Sequence, residues 1–72
     1  MVRSIPNEFK IARIRAGLYQ RDLAQKVGIT SNTLSQIENG YKSTSGVTAN
    51  KICSILGVPF DEIFKIEQRL NA

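Results

Sequence analysis

The chain has 72 residues, 42% of them hydrophobic, with no histidine, one cysteine and a formal net charge of +4. That is one small domain with a thin core, too apolar for a disordered chain and without an apolar run near the roughly 18 residues that cross a bilayer. An internal disulfide, a Cys/His zinc cluster and Ser-His or Cys-His catalysis are excluded, and the six carboxylates are too scattered for a hydrolytic pair.

The punctuation predicts five short helices, at about 7–16, 20–27, 31–38, 46–56 and 60–70, and no convincing strand. Either Asn7 caps the first helix or Pro6 occupies its first turn, with Glu8 suiting the positive end of the dipole. Phe9, Ala12, Arg13 and Ala16 share one face, and Gly17 is a natural terminator. In the second helix Leu23, Ala24 and Val27 form the apolar stripe, and Gly28 ends it. Thr30 is placed to cap the third helix, whose inner face is Ile29, Leu34 and Ile37 and whose stop is Gly40. Only Gly28, Ile29 and Thr30 separate helices two and three, so the chain must turn sharply there, as in a helix-turn-helix.

"YKSTSG" is a polar loop leading into the fourth helix, whose core face is Ala49, Ile52, Cys53 and Leu56. Cys53 is read as a small core residue. Gly57 ends that helix and Pro59 opens the fifth. Asp61 and Glu62 suit its first turn, and Lys65 and Arg69 its last turns. Phe60, Ile63 and Phe64 close the core.

The outer face of the third helix is unusual. It shows Ser31, Asn32, Ser35, Gln36 and Asn39 without a charge, where solvated faces usually carry Lys and Glu. Residues 1–26 are rich in cations (Arg3, Lys10, Arg13, Arg15, Arg21 and Lys26) against Glu8 and Asp22, while residues 61–72 are slightly acidic. A basic front suggests a polyanion partner.

"LYQRDLAQKVGITSNTLSQIENG" followed by "ICSILGVPFDEIF" resembles the XRE family, the helix-turn-helix repressors of the lambda-repressor and Cro type, over about residues 9–64. The resemblance implies an all-α, compact five-helix DNA-binding domain, with the helix-turn-helix at helices 2 and 3 and double-stranded DNA as partner. It also carries a backbone-contacting role onto Gln20 and implies a structural bridge between Arg13 and Glu38. In a major groove, amides and hydroxyls pair with base edges, and the first turn of the reading helix reaches them first. Ser31, Asn32, Thr33 and Gln36 are therefore the expected base readers. Gln20, Asn39, Tyr41, Lys42, Ser43 and Thr44 are the expected phosphate contacts, with Tyr19, Arg21 and Arg15 as weaker candidates.

Two residues depart from the family pattern. Tyr19 stands where Ser or Thr usually caps helix two; it either lies along a DNA backbone or leaves a frayed, exposed start. Asn50 stands at an often apolar position; it is either a satisfied buried amide or a sign that helix four is shifted by a residue.

One module of this size reads few base pairs, so a homodimer on a pseudo-palindromic site is expected. Val58, Phe60, Ile63, Ile66 and Leu70 are its candidate surface; for Ile66 and Leu70 a contact with helix one is the alternative. The expected function is a transcriptional regulator, by default a repressor, with no enzyme activity, metal, cofactor, membrane partner or evident small-molecule effector. No signal-peptide h-region is visible in "MVRSIPNEFK", so a cytoplasmic location is expected. The alternative function is a protein-interaction module, such as an antitoxin or antirepressor, using the same fold.

Overall fold

Pro6, not Asn7, starts the first helix. The computed structural model describes residues 1–67, as β1 (Val2–Ser4), α1 (Pro6–Arg15), α2 (Gln20–Val27), α3 (Ser31–Glu38), α4 (Gly46–Leu56), α5 (Phe60–Ile63) and β2 (Phe64–Ile66). Ile5 is the N-cap of α1 and carries no side-chain cap, so Pro6 supplies the preset φ of the first turn.

The helix boundaries follow local chemistry. Thr30 accepts a hydrogen bond from the Thr33 amide at 3.1 Å, and Ser45 does the same for Thr48, satisfying orphan donors at the starts of α3 and α4. Gly28 ends α2 in the left-handed region at φ 89°, and its amide donates to the Ala24 carbonyl. At Tyr19 the ring does not cap α2. Its backbone N–H instead donates to Asp22 Oδ2 at 3.1 Å, and the ring stays exposed.

The stripes of the five helices meet in one core, with Phe9, Leu23, Leu34, Ile52 and Ile63 fully buried. Each such side chain contributes about 1.5–3 kcal/mol over its exposed state. Phe64 packs edge-on against Phe9 (centroids 5.7 Å) and stacks on Phe60 (5.6 Å). Ala16 lies outside this core, and Ile11 and Ile14 on α1 are exposed. Asn50 is exposed on α4, while Ala49, Ile52, Cys53 and Leu56 are buried as expected. It is thus not a buried amide, and the helix has not shifted.

The fifth helix is far shorter than the sequence predicts, and two strands stand where it predicts helix and coil. α5 stops at Ile63, and Phe64 is extended at φ −132°, ψ 158°. β2 then pairs antiparallel with β1 at the other end of the chain, in the register Val2↔Ile66, Arg3↔Lys65 and Ser4↔Phe64. The spacing Phe60, Ile63, Phe64 suits a helix, but Phe-Lys-Ile also alternates with period two. Pairing with β1, whose Val2 and Ser4 point inward around Arg3, decides between the two. Leu70 lies outside the described residues.

Candidate nucleic-acid interface

The reading face is built on α3, and α3 is held by one buried charge. Glu38 closes its last turn, where a carboxylate opposes the helix dipole and has left water. Arg13 on α1 compensates: its Nε donates to Glu38 Oε1 at 2.6 Å, and its Nη2 lies 3.4 Å from Oε2. Arg13 Nη1 also donates to the Leu18 carbonyl at 2.7 Å, and Gln20 Nε2 donates to Glu38 Oε2 at 3.0 Å. One carboxylate therefore ties α1, the α1–α2 turn, the start of α2 and the end of α3 into a single unit.

That unit fixes where the polar side chains point. Ser31 and Asn32 are exposed on the first turn of α3. Thr33 is half-buried; its Oγ1 accepts from Thr30 Oγ1 at 2.8 Å and keeps its own hydrogen to donate. Gln36 is half-buried one turn on. Its carbonyl accepts from the amides of Tyr41 (2.9 Å) and Lys42 (3.2 Å), so the loop after α3 folds back onto the same helix.

A notch opens between the N-termini of α2 and α3, lined by Arg13, Tyr19, Gln20, Arg21 and Ser31. The Arg21 guanidinium carbon stands 5.7 Å from the centroid of the Tyr19 ring, a cation–π contact at the rim. One Nε2 hydrogen of Gln20 is committed to Glu38, leaving the other for a ligand. Asn39 Nδ2 donates back to the Ser35 carbonyl at 2.9 Å and lies 3.4 Å from Ser35 Oγ, so the exposed amide is held against the last turn of α3.

Tyr41 and Lys42 are exposed, and Ser43 is half-buried. Thr44 is not available: it is buried, and its backbone exchanges hydrogen bonds with Val2 at 2.9 and 2.8 Å. Arg15 is exposed on the last turn of α1. Of the residues expected at a subunit surface, Ile63 is fully buried within the chain and leaves the set. Val58 and Phe60 are half-buried against the core, and Ile66 is 67% exposed. Residues near this face to which the sequence reading gives no site role are Arg3 and Ser4, which reach from β1 to Gly40 and to the last turn of α3. No local pattern marks them, because the pairing that places them is non-local.

The helix-turn-helix family matches residues 9–63 of the chain. The HTH-type transcriptional regulator YgzD of Bacillus subtilis, itself uncharacterised, is 34% identical over 62 residues, 86% of this chain and 94% of that protein. An uncharacterised HTH-type transcriptional regulator of Methanocaldococcus jannaschii is 38% identical over 61 residues, 85% of this chain and 92% of that protein. A crystal structure of a candidate DNA-binding protein from Bacteroides fragilis has the same fold, with a TM-score of 0.75 and 20% identity over 90% of this chain and all of that one. With α2 and α3 packed across a three-residue turn and the match spanning most of its length, the chain is a member of the XRE-type helix-turn-helix family.

Proposed function

We propose that this chain is a sequence-specific DNA-binding transcriptional regulator that inserts α3 into the major groove. The observation that carries this reading is the outer face of α3: exposed or half-buried, uncharged, and rich in groups that both donate and accept, on a helix whose far end is pinned by Arg13 and Glu38. Ser31, Asn32, Thr33 and Gln36 read base edges. Asn and Gln pair bidentately with adenine, and the hydroxyls adapt to either base.

Backbone contacts come from either side. A phosphate fits the notch at the start of α2, where Gln20 offers its second amide hydrogen. The free N–H groups and positive dipole end of α2 favour an anion, and Arg21 and Tyr19 stand at the rim. Asn39, Tyr41, Lys42 and Ser43 form the second clamp. These contacts fix register and carry no sequence information themselves. Lys42 is the one cation in the loop, so the salt dependence per half-site is shallow.

The regulator works as a homodimer on a pseudo-palindromic operator, its half-sites about one helical turn apart, and represses by occupying that operator. Ile66, exposed on β2, supplies the subunit surface on this reading, with the half-buried Val58 and Phe60 as further candidates.

Gel-shift titration against genomic DNA fragments tests the function. The expected result is a small set of fragments retained at a salt concentration that releases the rest. Retention of no fragment even at low salt, with tight capture of a protein partner, would replace this reading by the interaction-module alternative.

A further inference from the structure

The family match covers residues 9–63, so both strands of the small sheet lie outside it. β1 nevertheless bonds to the last turn of α3 and the segment after it at three successive places. At its start, the Ser4 hydroxyl donates to the Ile37 carbonyl at 2.6 Å, with the Glu38 carbonyl at 3.0 Å. In the middle, Arg3 Nη1 donates to the Gly40 carbonyl at 2.8 Å. At its end, Val2 and Thr44 exchange backbone hydrogen bonds. Gly40 itself has φ 75°, and a Cβ there would lie 3.2 Å from Pro6 Cγ, so the β1–α1 junction also presses on this turn.

We propose that the terminal sheet is a positioning device for the loop at 41–43, with Arg3 as the positioning residue and Glu67 as its anchor. The proposal rests on the reading of that loop as a DNA-backbone clamp. Arg3 Nε donates to Glu67 Oε2 at 2.7 Å, and the same guanidinium reaches Gly40 with a different nitrogen. Only a planar fork makes both bonds at once; a lysine ammonium on its flexible stem does not reproduce them. β2 sets Glu67 in place, because the Glu67 amide donates to the Met1 carbonyl at 2.9 Å. Tyr41, Lys42 and Ser43 thus run between fixed points at Gly40 and Thr44, while the Tyr41 and Lys42 amides bond to the Gln36 main-chain carbonyl. β1 and β2, far apart in sequence, together hold a loop that belongs to neither.

The test uses Arg3→Lys and Glu67→Gln in the full chain, with random-sequence duplex DNA at low salt as the probe. Arg3→Lys keeps the charge and loses the fork, so a positioning role predicts binding about three- to tenfold weaker. Glu67→Gln removes a negative charge, which by general electrostatics would tighten binding to a polyanion; positioning predicts weaker binding. In either background Lys42→Ala loses most of its own effect. Parent-like binding by Arg3→Lys, or tighter binding by Glu67→Gln, overturns the proposal. Amide hydrogen exchange on the free protein separates this from the DNA reading. The Tyr41, Lys42 and Thr44 amides exchange about threefold faster or more in Arg3→Lys, while Leu23 and Ala24 in α2 are unchanged. If the parent binds no duplex, the DNA reading fails and the exchange pattern alone decides: uniform protection across both proteins overturns the positioning role.

Discussion

Arg13 Nε stands 2.6 Å from Glu38 Oε1, with side-chain exposures of only 11% and 4%, and this pair ties α1 to the last turn of the proposed reading helix. Removing one partner strands the other charge in a dry site. Arg13→Met is expected to cost about 3–5 kcal/mol in urea denaturation. Replacing both residues by apolar side chains of similar volume should recover much of that loss, because no charge is then left buried. Equal destabilisation by the single and double variants would show that packing, not charge, dominates.

Gln36 and Lys42 are neighbours through the backbone, yet they are assigned opposite roles. Gln36→Ala should weaken the specific site by about 1–3 kcal/mol and leave random DNA nearly unaffected. Lys42→Ala should weaken both alike and lower the slope of log affinity against log salt by about one. Fluorescence anisotropy on the two DNAs over a salt series reads both effects. Equal losses for Gln36→Ala on both DNAs would make it a backbone contact.

Gly28 and Gly40 both adopt positive φ but differ in surroundings. At Gly28 a Cβ meets open space, so Gly28→Ala carries only the left-handed penalty of about 1–2 kcal/mol. At Gly40 the same penalty is joined by the contact with Pro6. Thermal melting should therefore rank Gly40→Ala below Gly28→Ala, and Gly28→Asn closer to the parent than either.

Cys53 is buried on α4, and burial pushes its thiol above its ordinary pKa. The folded state thus favours the protonated form. Its contribution to stability is complete below the unfolded thiol pKa, about 8.5, and is lost as pH rises through the higher folded value. As pH rises above the unfolded thiol value, about 8.5, the parent should lose more stability than Cys53→Ala, as measured by urea midpoints. Parallel curves for the two proteins would remove Cys53 from the pH response.

Sequence patterns placed α2, α3 and α4 well because their signals are local. Thr30, Gly28 and Gly57 mark boundaries by their own backbone and hydroxyl chemistry, and the stripes of Leu23, Ala24 and Val27 need no distant partner. The end of α5 was illegible for the converse reason. Phe64, Lys65 and Ile66 satisfy both helical and strand periods, and what decides is β1, at the opposite end of the chain. The same non-locality hid Arg3 and Ser4 and made Thr44 look like an exposed loop residue.

The assembly has its own test. Ile66 is the most exposed apolar side chain of β2, and Ile66→Glu places a charge there. Sedimentation equilibrium is expected to show a dimer for the parent and a mass near half of it for the variant. An unchanged mass would take β2 out of the interface.

The most direct measurement of the central claim is selection of bound duplexes from a random DNA pool, run in parallel with the parent and Gln36→Ala. An enriched motif of two inverted half-sites about one helical turn apart is expected for the parent. For Gln36→Ala, relaxed preference at one position of each half-site is expected. A pool that stays random, or a motif indifferent to Gln36, would contradict the assignment of α3 as the reading helix.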